Sequence, residues 1–175
     1  MSLSNGQNLI LHIVRDNPGL GKTAVMKILF MLQQVKGVHT GYDFSIYTYG
    51  PYSPDVMEDI DDLVSKGLVI CTMYPSHTYV GYKLTLDDAA GINHIKGLNN
   101  HDSNSLNDII KFAKGKKAKE LELYSTIIYV DSLCKKNRRD ASSNHVADEV
   151  QEIKPKFSMQ EILDAHKSLK QQGFI

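Results

Sequence analysis

The chain has 175 residues, 42% hydrophobic and 23% charged, with no tryptophan. That is ordinary globular composition, long enough for one good core or two small ones. Twenty basic side chains balance twenty acidic ones, so net charge gives no pull toward nucleic acid or an acidic membrane surface. No stretch approaches the roughly 18 uninterrupted apolar residues of a membrane helix, and Met1–Asn5 places no basic segment before the apolar stretch, so no secretory signal is expected. Two cysteines 63 positions apart, Cys71 and Cys134, make neither a disulfide framework nor a metal motif, and a reducing cytoplasm is the expected setting.

Neutrality conceals an asymmetry. Residues 1–110 carry 7 basic and 11 acidic side chains, and residues 111–175 carry 13 basic and 9 acidic. The polar stretch Asn99–Asn104 divides them and reads as a linker.

In chain order, Gln7–Arg15 is an apolar segment stopped by Asp16-Asn-Pro-Gly19, suited to a short helix or a strand. From Lys22 to Val35, Val25, Ile28, Leu29, Leu32 and Val35 fall at helical spacing, with Lys27 interrupting the apolar run and Gly37 closing it. Tyr42–Tyr49 alternates like a strand and ends at Gly50-Pro51. Ser53-Pro54 opens a helix by a capping serine and a first-turn proline, and that helix runs to Lys66 on Val56, Met57, Ile60, Leu63 and Val64. Leu68–Met73 and Tyr79–Leu84 read as a hairpin, and Thr85 caps a helix expected to reach Leu98.

The second half reads as helices around Leu106–Ala113, Lys117–Cys134 and His145–Ile153, and after the capping box Ser158-Met-Gln-Glu161. The expected fold is mostly α (α+β): a winged helix-turn-helix-like domain at 1–98, with a small β-hairpin wing, and a helical extension at 104–175 packed on it.

Lys22-Thr-Ala-Val-Met-Lys-Ile-Leu-Phe-Met-Leu, Tyr47-Thr-Tyr-Gly-Pro-Tyr-Ser-Pro54 and Lys66-Gly-Leu-Val69 together resemble the YwgA family and, more distantly, Panacea-type antitoxin domains. The resemblance extends to Tyr82-Lys-Leu-Thr85, Ser125-Thr-Ile-Ile-Tyr-Val130 and Lys154-Pro-Lys-Phe-Ser158 through Phe174. It implies winged-helix architecture and supplies no catalytic residues.

Gly19-Leu-Gly-Lys-Thr23 resembles the end of a phosphate-binding loop, but Asp16 stands where the loop's first glycine belongs, and its charge would oppose a phosphate. A P-loop-like nucleotide-binding protein is the alternative reading. No metal-ligand spacing and no nucleophile elbow appears, so an enzyme, a metal and a cofactor are not expected.

Two surfaces remain. Tyr47, Tyr49, Pro51 and Tyr52, with Asp55, Asp59 and Asp62 on the helix that follows, form a candidate surface for a protein partner, because tyrosines at a sharp turn offer large rigid contact area. Lys116, Lys117, Lys135, Lys136, Arg138 and Arg139 are candidate phosphate contacts, whereas the acidic Ser53–Lys66 helix would repel DNA. The sequence therefore reads as a non-enzymatic regulatory module that binds protein, nucleic acid or both, with any grip on nucleic acid expected from the second half.

Overall fold

The computed structural model describes residues 3–75 and 80–175. The protein is mostly helical, of α+β type. Helices α1 (Asn5–Asp16) and α2 (Lys22–Lys36) lead to strands β1 (Ser45–Tyr47) and β2 (Gly50–Tyr52), then α3 (Pro54–Ser65) and strands β3 (Val69–Pro75) and β4 (Val80–Leu86). A single turn, α4 (Gly91–His94), precedes α5 (Asn100–Ala113), α6 (Ala118–Lys136), α7 (Ser143–Ile153) and α8 (Met159–Gln171). Among the described residues no helix is long and apolar enough to cross a membrane.

The apolar run at the N-terminus is helical because Ser4 and Gln7 form a reciprocal capping box, which satisfies amides that a strand would leave to a neighbour. In α3, Val56, Ile60 and Leu63 are buried at helical spacing. Ser53 does not cap by its side chain: its hydroxyl is fully buried and accepts no helix amide, and its own N–H donates to Met26 Sδ at 3.4 Å.

β3 and β4 pair antiparallel in the register Val69↔Leu86 and Met73↔Tyr82. The expected second strand began at Tyr79, which lies outside the described residues. Thr85 pairs with Ile70 instead of capping a helix. Asp87 Oδ1 accepts from the N–H groups of Ala89 and Ala90 in the turn that leads into α4, and only the one turn of α4, without a side-chain cap, follows where a helix to Leu98 was expected. Leu20, between α1 and α2, forms an isolated antiparallel bridge with Leu84: Gly19 N–H donates to Leu84 O and Leu84 N–H to Leu20 O, both at 2.8 Å.

Asn99–Asn104 is no linker. Asn99 caps α5, its side chain accepting from Asp102 N–H, and residues 100–104 are helical. α2 packs on both α5 and α6, and one buried apolar cluster takes in Ile28, Leu32, Ile60, Ile109, Ile127 and Leu169, from both halves of the chain.

Candidate functional site: a tyrosine turn held by buried charges

Tyr42–Tyr49 is shorter as a strand than its alternation suggests, and Gly50-Pro51 does not end it. Gly50 starts β2, which folds back on β1 in the register Tyr47↔Gly50 and Ser45↔Tyr52. The connection Thr48-Tyr49 leads into Gly50 at φ +84°, the left-handed conformation that lets a short connection of ordinary residues join two twisted strands. Space also demands glycine there, because a Cβ on Gly50 would stand 2.9 Å from Thr126 Oγ1 and 3.4 Å from the Glu122 carbonyl on α6.

Three charged side chains lie under this turn, almost out of water: Lys27 is 2% exposed, Lys154 3% and Glu122 4%. Lys27 Nζ donates to Pro51 O at 2.6 Å. Lys154 Nζ donates to Tyr47 O at 2.9 Å and to Thr48 O, and lies 3.3 Å from Glu122 Oε1. Lys156 closes the group from the solvent side, 2.8 Å from Glu122 Oε2 and over the Tyr49 ring at 5.6 Å. Backbone carbonyls and one carboxylate thus satisfy two ammonium groups that burial alone would expel. Burial lowers the Lys27 pKa to about 8, against an opposing pull from Glu122 and a further push from Lys154. This amine is enclosed and donates to Pro51 O, so it holds the backbone of the turn in place.

Above these charges Tyr47 and Tyr49 project 65% and 63% exposed, Tyr47 leaning on Tyr52 at 5.7 Å between ring centroids. Tyr52 is half-buried and Pro51 is buried, so the exposed aromatic surface belongs to the first two tyrosines. Of the acids, Asp55 stays exposed. Asp59 accepts from Tyr42 Oη at 2.7 Å and Gln7 Nε2 at 2.9 Å, and Asp62 accepts from Gln7 Nε2 at 2.7 Å and pairs with Lys66. These two tie α3 to α1 and to the segment before β1. Burial, then the bond to Asp59, pushes the Tyr42 phenol pKa up, so it stays a donor.

The six basic candidates do not form one patch. Lys116 and Lys117 precede α6, whereas Lys135 and Lys136 lie in its last turn and Arg138 and Arg139 follow it, ~28 Å away along a 19-residue helix. Lys116 lies over the Phe112 ring at 4.1 Å and borders a hollow of about 420 Å³ with Lys36 and Lys111. Lys135 pairs with Asp131 at 2.7 Å and Arg139 with Glu149. Lys117, Lys136 and Arg138 are exposed. Lys22, the lysine of the phosphate-loop-like stretch, lies 2.5 Å from Asp61 and over the Tyr82 ring.

Lys27, Glu122, Lys154 and Lys156 escaped the sequence reading as site residues. The available signal was a lysine interrupting an apolar helix face. No protein-family model matches the chain, and no curated protein matches it significantly.

Proposed function

We propose that the protein is a non-enzymatic regulatory module of winged-helix type, YwgA-like, that binds a protein partner through the Tyr47–Tyr52 turn in a reducing cytoplasm. One observation carries this reading: two exposed tyrosines sit on a turn whose carbonyls are fixed from below by Lys27 and Lys154. Rigid aromatics lose little entropy on docking, so such a turn is suited to anchor an interface. Lys156 beside Tyr49 favours a partner presenting acidic as well as apolar groups.

The winged-helix assignment is supported by the Leu20–Leu84 bridge. A segment between the first two helices joins the edge of the β3–β4 hairpin, as the first strand of a winged helix does. The connection between α2 and α3 is longer than a helix-turn-helix turn, because the tyrosine hairpin is built into it.

Capture from native lysate by the wild type and by a Tyr47→Ala/Tyr49→Ala variant with an unchanged melt tests the reading. A partner held by the wild type and lost by the variant supports it. The same set captured by both would overturn it.

A second mode, contact with nucleic acid, draws on the exposed Lys136 and Arg138 at the end of α6, remote in charge from the acids Asp55, Glu58 and Asp61 on α3.

A further inference from the structure

Where α6 ends and α7 begins, the ligand atoms of Cys134, His145 and Glu149 lie within 4.8 Å of one another. His145 Nε2 is 3.0 Å from Glu149 Oε1, and Cys134 Sγ is 3.9 Å from Glu149 Oε2. We propose that these three side chains bind a divalent ion of the zinc class, clamping α6 to α7 across the intervening loop and leaving one coordination position open to solvent.

The donor set is the first argument. One sulfur, one imidazole nitrogen and one carboxylate oxygen are the three ligand types zinc accepts, and three protein ligands with one open position is a recurrent zinc arrangement. A tetrahedral ion at zinc bond lengths needs donors about 3.3–3.8 Å apart. The widest pair must therefore close by up to ~1.5 Å, within reach of side-chain rotation.

The second argument is the scaffold. His145 and Glu149 stand one turn apart on the same face of α7. The start of that helix is fixed, because Ser142 Oγ accepts from His145 N–H and Asp140 accepts from both the N–H and the hydroxyl of Ser142. Val146, Ala147 and Val150 dock α7 in the core. Cys134 is fully buried at the last turn of α6, whereas the His145 side chain is 39% exposed, so an ion has an entry from solvent.

The third argument is charge. Arg138 takes the left-handed conformation at φ 54°, which turns the chain so that Arg139 N–H bonds Cys134 O at 2.8 Å and the guanidinium reaches Glu149. A cation already neutralises this carboxylate. On binding, the thiol proton leaves to solvent as the sulfur–metal bond forms, and Arg139 swings aside into water. Thiolate, carboxylate and neutral imidazole then balance the two charges of the ion.

Chelator-stripped, folded protein titrated with cobalt(II) in place of zinc tests this. The wild type is expected to bind one equivalent with sulfur-to-cobalt charge-transfer absorption, and zinc should displace it. Cys134→Ser should lose that absorption. His145→Gln, at a partly exposed position that folding tolerates, should weaken binding about tenfold or more by removing a ligand. Arg139→Gln should tighten it by removing the competing cation. A folded wild type without the charge-transfer band at saturating cobalt, or His145→Gln binding as the wild type does, would overturn the assignment.

Discussion

Lys154 and Tyr47, 107 positions apart in the chain, meet where the Lys154 ammonium donates to the Tyr47 carbonyl at 2.9 Å. Through this contact the connection between α7 and α8 holds the exposed tyrosine turn in place, so the geometry of a first-half surface depends on a residue of the second half. Glu122 makes the contact tolerable, because it is the carboxylate of a group that otherwise contains only ammonium ions.

Replacing Glu122 with Gln is expected to destabilise the fold by roughly 3–5 kcal/mol, since removing one partner strands buried opposite charge. Urea denaturation monitored by circular dichroism measures this. A midpoint unchanged from the wild type would mean the lysines find water that the packing denies them.

At Gly50, substitution by Ala should cost about 1–3 kcal/mol, for positive φ and for contact with Thr126, and substitution by Val more. Thermal melts of the two variants give the ranking. Equal melting of Ala, Val and wild type would show that the corner relaxes freely.

The Lys27 pKa of about 8 predicts a stability change in alkali. Between pH 8 and 10.5 the unfolded chain keeps a proton at this amine that the folded protein has released, so unfolding takes up a proton and stability rises with pH in that window. The whole contribution is on the order of 3 kcal/mol. It is read as the difference between wild type and Lys27→Met, which lacks the group: the wild type should gain relative to the variant from pH 8 upward.

His166 predicts the acid side. It is buried, its Nε2 has no hydrogen-bond partner among the described residues, and burial lowers its pKa, with Asp131 opposing and Lys170 and Lys135 adding to the effect. Below the ordinary histidine value of ~6.5 the unfolded chain protonates first, so stability present at neutral pH is lost as pH falls. His166→Leu should flatten that loss in melts between pH 7 and 5, and an unchanged slope would assign the acid sensitivity to carboxylates instead.

Duplex DNA binding, measured over a salt series, should fall with a logarithmic slope of about 0.9 per neutralised phosphate. Lys136→Gln/Arg138→Asn should reduce that slope, asparagine being chosen because it tolerates the left-handed conformation of Arg138. Sequence-selective, salt-insensitive binding that survives in this variant would place the contact elsewhere.

Local rules decide much of this molecule. The face of Val56, Ile60 and Leu63, the capping box at Ser158 and Glu161, and the two β-prone runs that pair as β3 and β4 all act within a few residues, so helix positions and one hairpin were readable from the chain. Tyr47 and Tyr49 stood out by the same route, because a glycine-proline corner concentrates them locally. What lay beyond the sequence is what depends on partners distant along it. Asn99–Asn104 has linker composition, yet asparagine also caps helices, and packing of α2 on α5 and α6 chose the helix. Asp59 and Asp62 read as free surface acids until Gln7 and Tyr42 arrived from other segments to bind them. Lys27 was visible as a charge inside an apolar run, but only the tertiary structure supplied Pro51 O, Glu122 and Lys154 around it. A charge can stay buried only where the fold brings such groups together, and that meeting is written in no local pattern.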